Sequence, residues 1–212
     1  MTVINKIAYK ISDYNRTKKY DFFMNRFKPG VSTKILDVGA GETEYQKEAN
    51  ILEKKYPYQE SITVLGIENF KEFFKRYPKV KVVKYPGRKF PFADSEFDIC
   101  WCNAVIEHVG DKTCQKEFLS EIRRVAKSAF VTTPNRLFPF ETHTRIFLLH
   151  FLPKRFFDFI LVKMGKSWAT GNHLNLLSLR DIKKMLEECN ITEYKIVKRK
   201  ILCFTINFEI IF

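Results

Sequence analysis

The chain has 212 residues, of which 45% are hydrophobic and 29% are charged, and its formal net charge is +13. This composition excludes a mostly disordered protein, and the length suits a single domain, residues 1–212, around one hydrophobic core. The five cysteines are odd in number and form no C-x-x-C pair, which argues against a disulfide scaffold or a zinc ribbon and indicates a reducing cytoplasm.

The basic residues are spread along the whole chain rather than gathered in one run. A positive field attracts phosphates, anionic lipid or acidic substrates, and we favour a solvated basic surface over a nucleic-acid groove. The sequence has no secretion signal and no run of about 18 to 20 apolar residues, the length of a membrane-spanning helix. We therefore expect a cytoplasmic protein that does not span a bilayer.

Hydrophobic periodicity predicts alternating helices and strands along the chain. In order, the predicted elements are a helix over residues 14–27, a strand over 34–38, a polar helix over 42–56, strands over 62–67, 80–83 and 97–102, a helix over 113–126, a strand over 129–133, a helix after a capping box at Ser178, and a β-rich segment over 195–212 whose last part, 201–212, could hold two strands or one long one. Such alternation implies a mainly parallel sheet covered on both faces. We predict an α/β fold, a Rossmann-like doubly wound sheet, with an N-terminal helical cap in residues 1–30 and a helical substrate cap in residues 135–177.

The strongest chemical signal is the turn Gly39-Ala40-Gly41 after the first strand. Two glycines let the backbone turn sharply and approach a ligand without a Cβ in the way, and adenosine-type ligands bind at this edge of open α/β sheets. The dinucleotide fingerprint requires a third glycine where Glu44 stands, and no G-K-[ST] sequence follows, so an NAD-dependent oxidoreductase is disfavoured. A positively charged sulfonium ligand would tolerate the neighbouring Asp37.

The second signal is Glu68, which ends the second predicted strand. A carboxylate at this position can accept hydrogen bonds from both hydroxyls of a ribose. By itself a glutamate at a strand end is usually only solvated, but its combination with the glycine turn favours a ligand-binding role.

These segments resemble class I S-adenosylmethionine-dependent methyltransferases, in the broad group of ubiquinone-biosynthesis-like small-molecule enzymes. The similarity spans residues 34–135 and is carried by ILDVGAGE, VLGIE, FPFADSEFD and NAVIEHV. It implies S-adenosylmethionine as the cofactor and the following binding residues: Asp37, Gly39 and Gly41, with Ala40 between them, for the methionine part, Glu68 for the ribose, and Asn103 near the transferable methyl. Many members bind the adenine amino group with an acidic residue where this chain has Tyr85 or Pro86.

Methyl transfer from a sulfonium is an in-line displacement, so alignment supplies much of the rate and a base is optional. The base candidates are His108 and His143, which Glu107 or Glu141 would assist. His143 is the stronger candidate because it lies in the insertion after the fifth strand, where such folds place substrate-contacting loops. His108 belongs to a segment that often serves to start a helix, and His173 is a candidate substrate contact. We expect no metal site.

The insertion over residues 133–153 resembles one in a bacterial subset of these enzymes that is linked with surface-polysaccharide or lipid-linked sugar pathways. Residues 155–164 are apolar nearly all round, which is typical of a buried lid or of a membrane-facing helix. We favour the lid. The alternative is a peripheral contact with the inner face of an anionic membrane, because residues 145–166 combine phenylalanines and leucines with basic residues.

We therefore predict methyl transfer to an oxygen or nitrogen acceptor on a small molecule, a sugar or a lipid-linked substrate. Three alternatives remain: an RNA methyltransferase, although no N-P-P-[YF] base-methylating motif or other clear nucleic-acid motif occurs; an NAD-dependent oxidoreductase; and a non-catalytic cofactor-binding module.

Overall fold

The computed structural model describes the backbone of residues 3–212 and the side chains of residues 9–212. This part of the chain forms six α-helices: α1 (Val3–Phe27), α2 (Ile51–Lys55), α3 (Lys71–Arg76), α4 (Lys112–Val125), α5 (Lys154–Lys163) and α6 (Leu179–Glu188). It also forms nine strands: β1 (Ile35–Val38), β2 (Ile62–Gly66), β3 (Lys81–Lys84), β4 (Phe97–Asn103), β5 (Ala126–Pro134), β6 (Phe140–Glu141), β7 (Ile146–Phe147), β8 (Lys195–Ile201) and β9 (Phe204–Ile211). No helix within residues 3–212 is both long enough and apolar enough to cross a bilayer.

Seven of the strands form one sheet in the order β3-β2-β1-β4-β5-β9-β8, and β6 and β7 form a separate hairpin. Parallel pairing joins β1 to β2 and to β4, and β2 to β3, whereas β8 and β9 are antiparallel. The predicted mainly parallel α/β fold is confirmed. The strand order reverses beside β1, and ligands of open α/β sheets bind outside the carboxyl ends of strands at such a point.

The chain divides into two compact units, and the first contains residues 1–101 and 124–130. Its helix α1 begins well before Tyr14, the predicted start, and ends at Phe27 as predicted. The fully buried ring of Phe23 on this helix lies 5.0 Å from the ring of Trp101 and 5.8 Å from that of Phe130. This aromatic cluster fixes α1 on β4 and β5.

The helix expected over residues 42–56 is wrong for most of its length, because only α2 is helical there. Asn50 adopts a left-handed conformation with φ 50°, and its side chain accepts a hydrogen bond from the Gly41 N–H (3.0 Å) and donates one to the Gly41 carbonyl (2.9 Å). Asparagine side chains often compete with helical hydrogen bonds in this way. Residues 42–50 therefore fold back on the glycine turn as a loop.

The second unit contains residues 102–123 and 131–212. Its α6 begins with the predicted capping box, in which the Ser178 hydroxyl accepts from the Asp181 N–H (3.2 Å) and the Asp181 carboxylate accepts from the Ser178 N–H (3.0 Å). The chain reverses between β8 and β9 at Leu202, which has φ 55°, so residues 204–211 form one long strand.

The insertion over residues 135–177 contains a β-hairpin as well as helical segments, whereas only helices were expected. Its small core is formed by Ile146, Phe157, Leu161, Ala169 and Leu174. Helix α5 contributes only its inner stripe to this core, and a second set of apolar side chains on the insertion is exposed.

Candidate active site

The glycine turn lies at the carboxyl end of β1 in the first unit. Gly39 has φ 96°, a left-handed conformation that favours glycine, and its N–H donates to the Leu65 carbonyl of β2 (3.1 Å). Gly41 has no such requirement, and a Cβ there would lie 3.5 Å from the nearest atom, the Thr43 carbonyl oxygen, which is an ordinary contact. The local backbone therefore explains Gly39, whereas Gly41 leaves space at the turn for a ligand.

Glu68 lies just after β2 and is exposed. Its carboxylate accepts a hydrogen bond from the Glu42 N–H (2.6 Å), so it lies directly beside the glycine turn. The Glu42 carboxylate in turn accepts from the N–H groups of Glu72 (2.8 Å) and Phe73 (3.1 Å) at the start of α3, and these bonds lower the pKa of Glu42. The structure thus brings two of the predicted cofactor-binding elements together.

Asp37 forms a buried carboxyl pair with Glu53 of α2, which is completely buried. Burial raises the pKa of both groups, the contact with Glu53 raises that of Asp37 further, and the charge of Arg16 opposes this. Burial therefore favours the protonated form of this pair. The sequence analysis missed Glu53 because it treated residues 42–56 as one polar helix, and no feature of the single sequence distinguishes this glutamate from its exposed neighbours.

The position where many relatives carry an adenine-binding acid holds an aromatic side chain instead. Tyr85 is half-buried after β3, its N–H donates to the Gly66 carbonyl (3.1 Å), and its ring lies 5.4 Å from the ring of Phe90. The neighbouring Pro86 is exposed. Neither side chain at this position supplies a carboxylate acceptor.

The second unit holds the predicted base candidates in one cluster. The ring Nδ1 of His143 lies 2.9 Å from Glu141 Oε1, and its Nε2 lies 3.5 Å from Glu107 Oε1. Both glutamates are buried, and the remaining oxygen of Glu107 accepts from the Thr133 hydroxyl (3.1 Å). Both carboxylates that the sequence named as helpers therefore contact His143.

The two carboxylates control the protonation of His143. Burial by itself would lower the pKa of His143, but the nearby Glu107 and Glu141 carboxylates outweigh it and raise the pKa to about 9. Burial opposes ionisation of Glu141 as well, yet the contact with His143 lowers its pKa to about 2. The imidazole therefore carries a proton at neutral pH, and it can act as a base only after a ligand has displaced that proton.

His108 lies against His143, with the two rings perpendicular and their centroids 4.6 Å apart. Its Nδ1 donates to the backbone carbonyl of His173 (2.9 Å), so His173 joins the cluster through its main chain. Asn103, at the end of β4, accepts a hydrogen bond from the Thr132 hydroxyl (2.7 Å).

Residues 36–129 match a family model described as a methyltransferase domain, a segment that includes the glycine turn, Glu68 and the Glu107-His108 pair. The chain therefore contains a methyltransferase domain. The cofactor of this methyltransferase is therefore S-adenosylmethionine, as predicted. No curated protein matches its sequence.

Solved structures share the fold of this methyltransferase. An S-adenosylmethionine-dependent methyltransferase from Methanosarcina mazei is 18% identical, with a TM-score of 0.56 over 86% of this chain and 92% of that one. A putative methyltransferase from Bacillus halodurans is 17% identical, with a TM-score of 0.57 over 88% of this chain and 73% of that one. At such identities the likeness concerns the fold alone, so the acceptor has to be inferred from this methyltransferase itself.

Proposed function

We propose that this methyltransferase moves the methyl group of S-adenosylmethionine to an oxygen or nitrogen of a lipid-linked sugar, while it is bound peripherally to the cytoplasmic face of an anionic membrane. Small-molecule, sugar and lipid-linked acceptors all suit the fold. The observation that favours the lipid-linked class is the exposed apolar surface of the insertion. We call this surface the insertion patch and define it by the nine exposed residues Phe147, Leu148, Phe151, Leu152, Phe156, Phe159, Val162, Met164 and Trp168.

The arrangement of side chains on α5 is unusual for a helix in contact with water. Successive residues turn by about 100°, so Phe157 and Leu161 form the inner stripe, and both are buried. The opposite face carries Phe156, Phe159 and Val162, which are all exposed. A helix that is apolar on its outer face as well as its inner one is typical of contact with an apolar phase.

Basic side chains surround this outer face. Within residues 145–166 the basic residues are Arg145, Lys154, Arg155, Lys163 and Lys166, and Asp158 is the one acidic residue. Asp158 is paired with Lys154 (2.6 Å), while Arg155 lies over the ring of Phe156 and Lys163 over that of Phe159. Each basic residue near an anionic lipid surface contributes about 1 kcal/mol, so charge and apolar area favour the same partner. A buried lid accounts for the inner stripe only.

In this proposal the cofactor binds at the glycine turn after β1. The fit to the cofactor rests on the exposed Gly39, which adopts the left-handed conformation of a tight turn, and on the Glu68 carboxylate beside that turn. Glu68 would accept hydrogen bonds from the ribose hydroxyls. When bound, S-adenosylmethionine supplies the electrophilic methyl group. His143 would orient the acceptor and, once its proton has been displaced, take up the proton that the acceptor loses.

An RNA acceptor is the runner-up, because the net charge is +13. RNA-binding surfaces combine cations with aromatic rings that stack on bases. The insertion patch also exposes the aliphatic side chains of Leu148, Leu152, Val162 and Met164, which suit acyl chains better than bases.

The test is methyl transfer from tritium-labelled S-adenosylmethionine to a polyprenyl-diphosphate sugar in phosphatidylglycerol vesicles, compared with the same sugar free in solution. We expect label on the vesicle acceptor, and roughly 10-fold or greater loss of that transfer when Phe156 and Phe159 are both replaced by Ser. Binding of S-adenosylhomocysteine to the variant should be unchanged. Equal labelling of the free sugar, or full transfer by the variant, would contradict the lipid-linked acceptor.

A further inference from the structure

Three side chains of the second unit converge on one point. Glu107 and His108 come from the short 3-10 helix after β4, and His143 comes from the loop between β6 and β7. One nitrogen or oxygen atom from each of these residues lies within 4.8 Å of those of the other two. The ligand atoms of a tetrahedral zinc site are about 3.4 Å apart. Side-chain rotations that move these atoms by about 1 Å would therefore bring the three residues into coordinating range.

The Glu107 carboxylate has one oxygen that the protein leaves without a hydrogen bond. The residue is completely buried, its Oε2 accepts from Thr133, and its Oε1 has no hydrogen-bond partner within residues 9–212. The nearby His143 Nε2, at 3.5 Å, forms an ion pair too long for a good hydrogen bond. The protonated imidazole therefore offsets the charge of this oxygen only at a distance, and a coordinated cation would offset it directly.

Both histidines are held in the way that metal-binding histidines usually are. The Nδ1 of His108 donates to the His173 carbonyl (2.9 Å), and the Nδ1 of His143 donates to the Glu141 carboxylate (2.9 Å), a bond that remains when His143 gives up its Nε2 proton to bind a metal ion. Because these acceptors carry no proton, each Nδ1 bears the hydrogen, and the Nε2 of the neutral ring has a free lone pair. A carboxylate or a backbone carbonyl behind the imidazole fixes the tautomer and strengthens the opposite nitrogen as a ligand.

We propose that Glu107, His108 and His143 bind one divalent transition-metal ion, with Glu141 and the His173 carbonyl as the groups that orient the two imidazoles. Two imidazoles and one carboxylate suit Zn²⁺, Fe²⁺ or Mn²⁺ and leave coordination positions open for water or for an oxygen of the acceptor. The ion would take the place of the proton on His143. This site does not depend on whether the acceptor is lipid-linked. The sequence analysis expected no metal site, and His143 lies 35 positions from His108 in the chain.

The experiment uses the full chain without a histidine tag, stripped with EDTA and titrated with Co²⁺ and then Zn²⁺. We expect one ion per chain by calorimetry, and visible absorption bands of low-symmetry Co²⁺ that Zn²⁺ abolishes. His108→Gln and Glu107→Gln should each weaken binding by 10-fold or more, and Glu141→Gln by about 10- to 100-fold. The matched control is His150→Gln. His150 is buried in the same unit, its Nε2 bonds to the Arg136 carbonyl, and it is not one of the three proposed ligands.

S-adenosylhomocysteine binding reports whether each variant is folded. His108 is exposed, so His108→Gln remains informative if the buried Glu107→Gln variant fails to fold. Absence of a stoichiometric ion, or an affinity that His108→Gln leaves unchanged, would overturn the proposal and identify any bound metal as adventitious.

Discussion

The insertion patch makes a quantitative prediction about membrane affinity. Phe156 is 50% exposed and Phe159 is 63% exposed. A phenylalanine side chain buries about 200 Å² when fully covered, so the two rings present about 100 and 125 Å². At about 25 cal/mol per Å², their complete transfer from water contributes about 5 to 6 kcal/mol, and half-immersion about 3 kcal/mol. Replacement of both by Ser should therefore weaken vesicle binding by about 100-fold.

The assay is co-sedimentation with phosphatidylglycerol and with phosphatidylcholine vesicles over a range of salt concentrations. Binding should require the anionic lipid and fall as salt rises, because screening shortens the reach of the basic residues. Phe204→Ser is the matched control: Phe204 is also 50% exposed but lies on β9, outside the insertion. If wild-type protein stays in the supernatant at low salt, or if the control loses as much binding as the Phe156/Phe159 double variant, the membrane reasoning fails.

The other predictions concern the residues near the glycine turn and the histidine cluster. Glu68→Ala should weaken S-adenosylhomocysteine binding by about 1 to 3 kcal/mol in calorimetry, since hydrogen bonds to a charged group are lost, and equal affinity would remove Glu68 from the site. Glu53→Gln should stabilise the fold against urea, by an amount that grows from pH 5 to pH 9. Burial raises the pKa of Asp37 and Glu53, so the native wild type binds more protons than the unfolded chain and loses stability as pH rises through those pKa values. A gain that is the same at both pH values would contradict the raised pKa values of this pair. His143→Gln should lower turnover by roughly 100-fold with cofactor affinity intact, and near-native turnover would leave alignment as the whole mechanism.

The parallel strands were predictable because their signals are local. All four residues of β1 and all five of β2 are buried. A short, mainly apolar run that ends at a glycine or a charged residue was therefore sufficient to predict each strand. The capping box at Ser178 is likewise a pattern of four consecutive residues, and it began α6 where expected. The glycine turn and Glu68 follow β1 and β2 directly, so their closeness followed from the predicted parallel pairing.

The features that escaped prediction depend on contacts between distant positions. The loop over residues 42–50 replaces a helix because Asn50 bonds to Gly41, nine residues earlier. The burial of Glu53 depends on where α2 lies against Asp37, and no period in the sequence encodes it. His143 contacts Glu107, which comes from a different segment of the chain. The candidate residues could therefore be named from the sequence, whereas their protonation depends on the fold.

Some of the basic residues lie on the edge strand of the main sheet, where their charge has a role that involves no ligand. Strand β8 is an edge strand, and Lys195, Lys198 and Lys200 along it are exposed. A bare edge is a template on which a second chain can add its own strand, the first step of aggregation. A lysine on the edge makes that step costly, because the incoming strand would have to cover the ammonium group. These lysines therefore disfavour the addition of a strand from a second chain at this edge. We expect a variant without them to self-associate more readily.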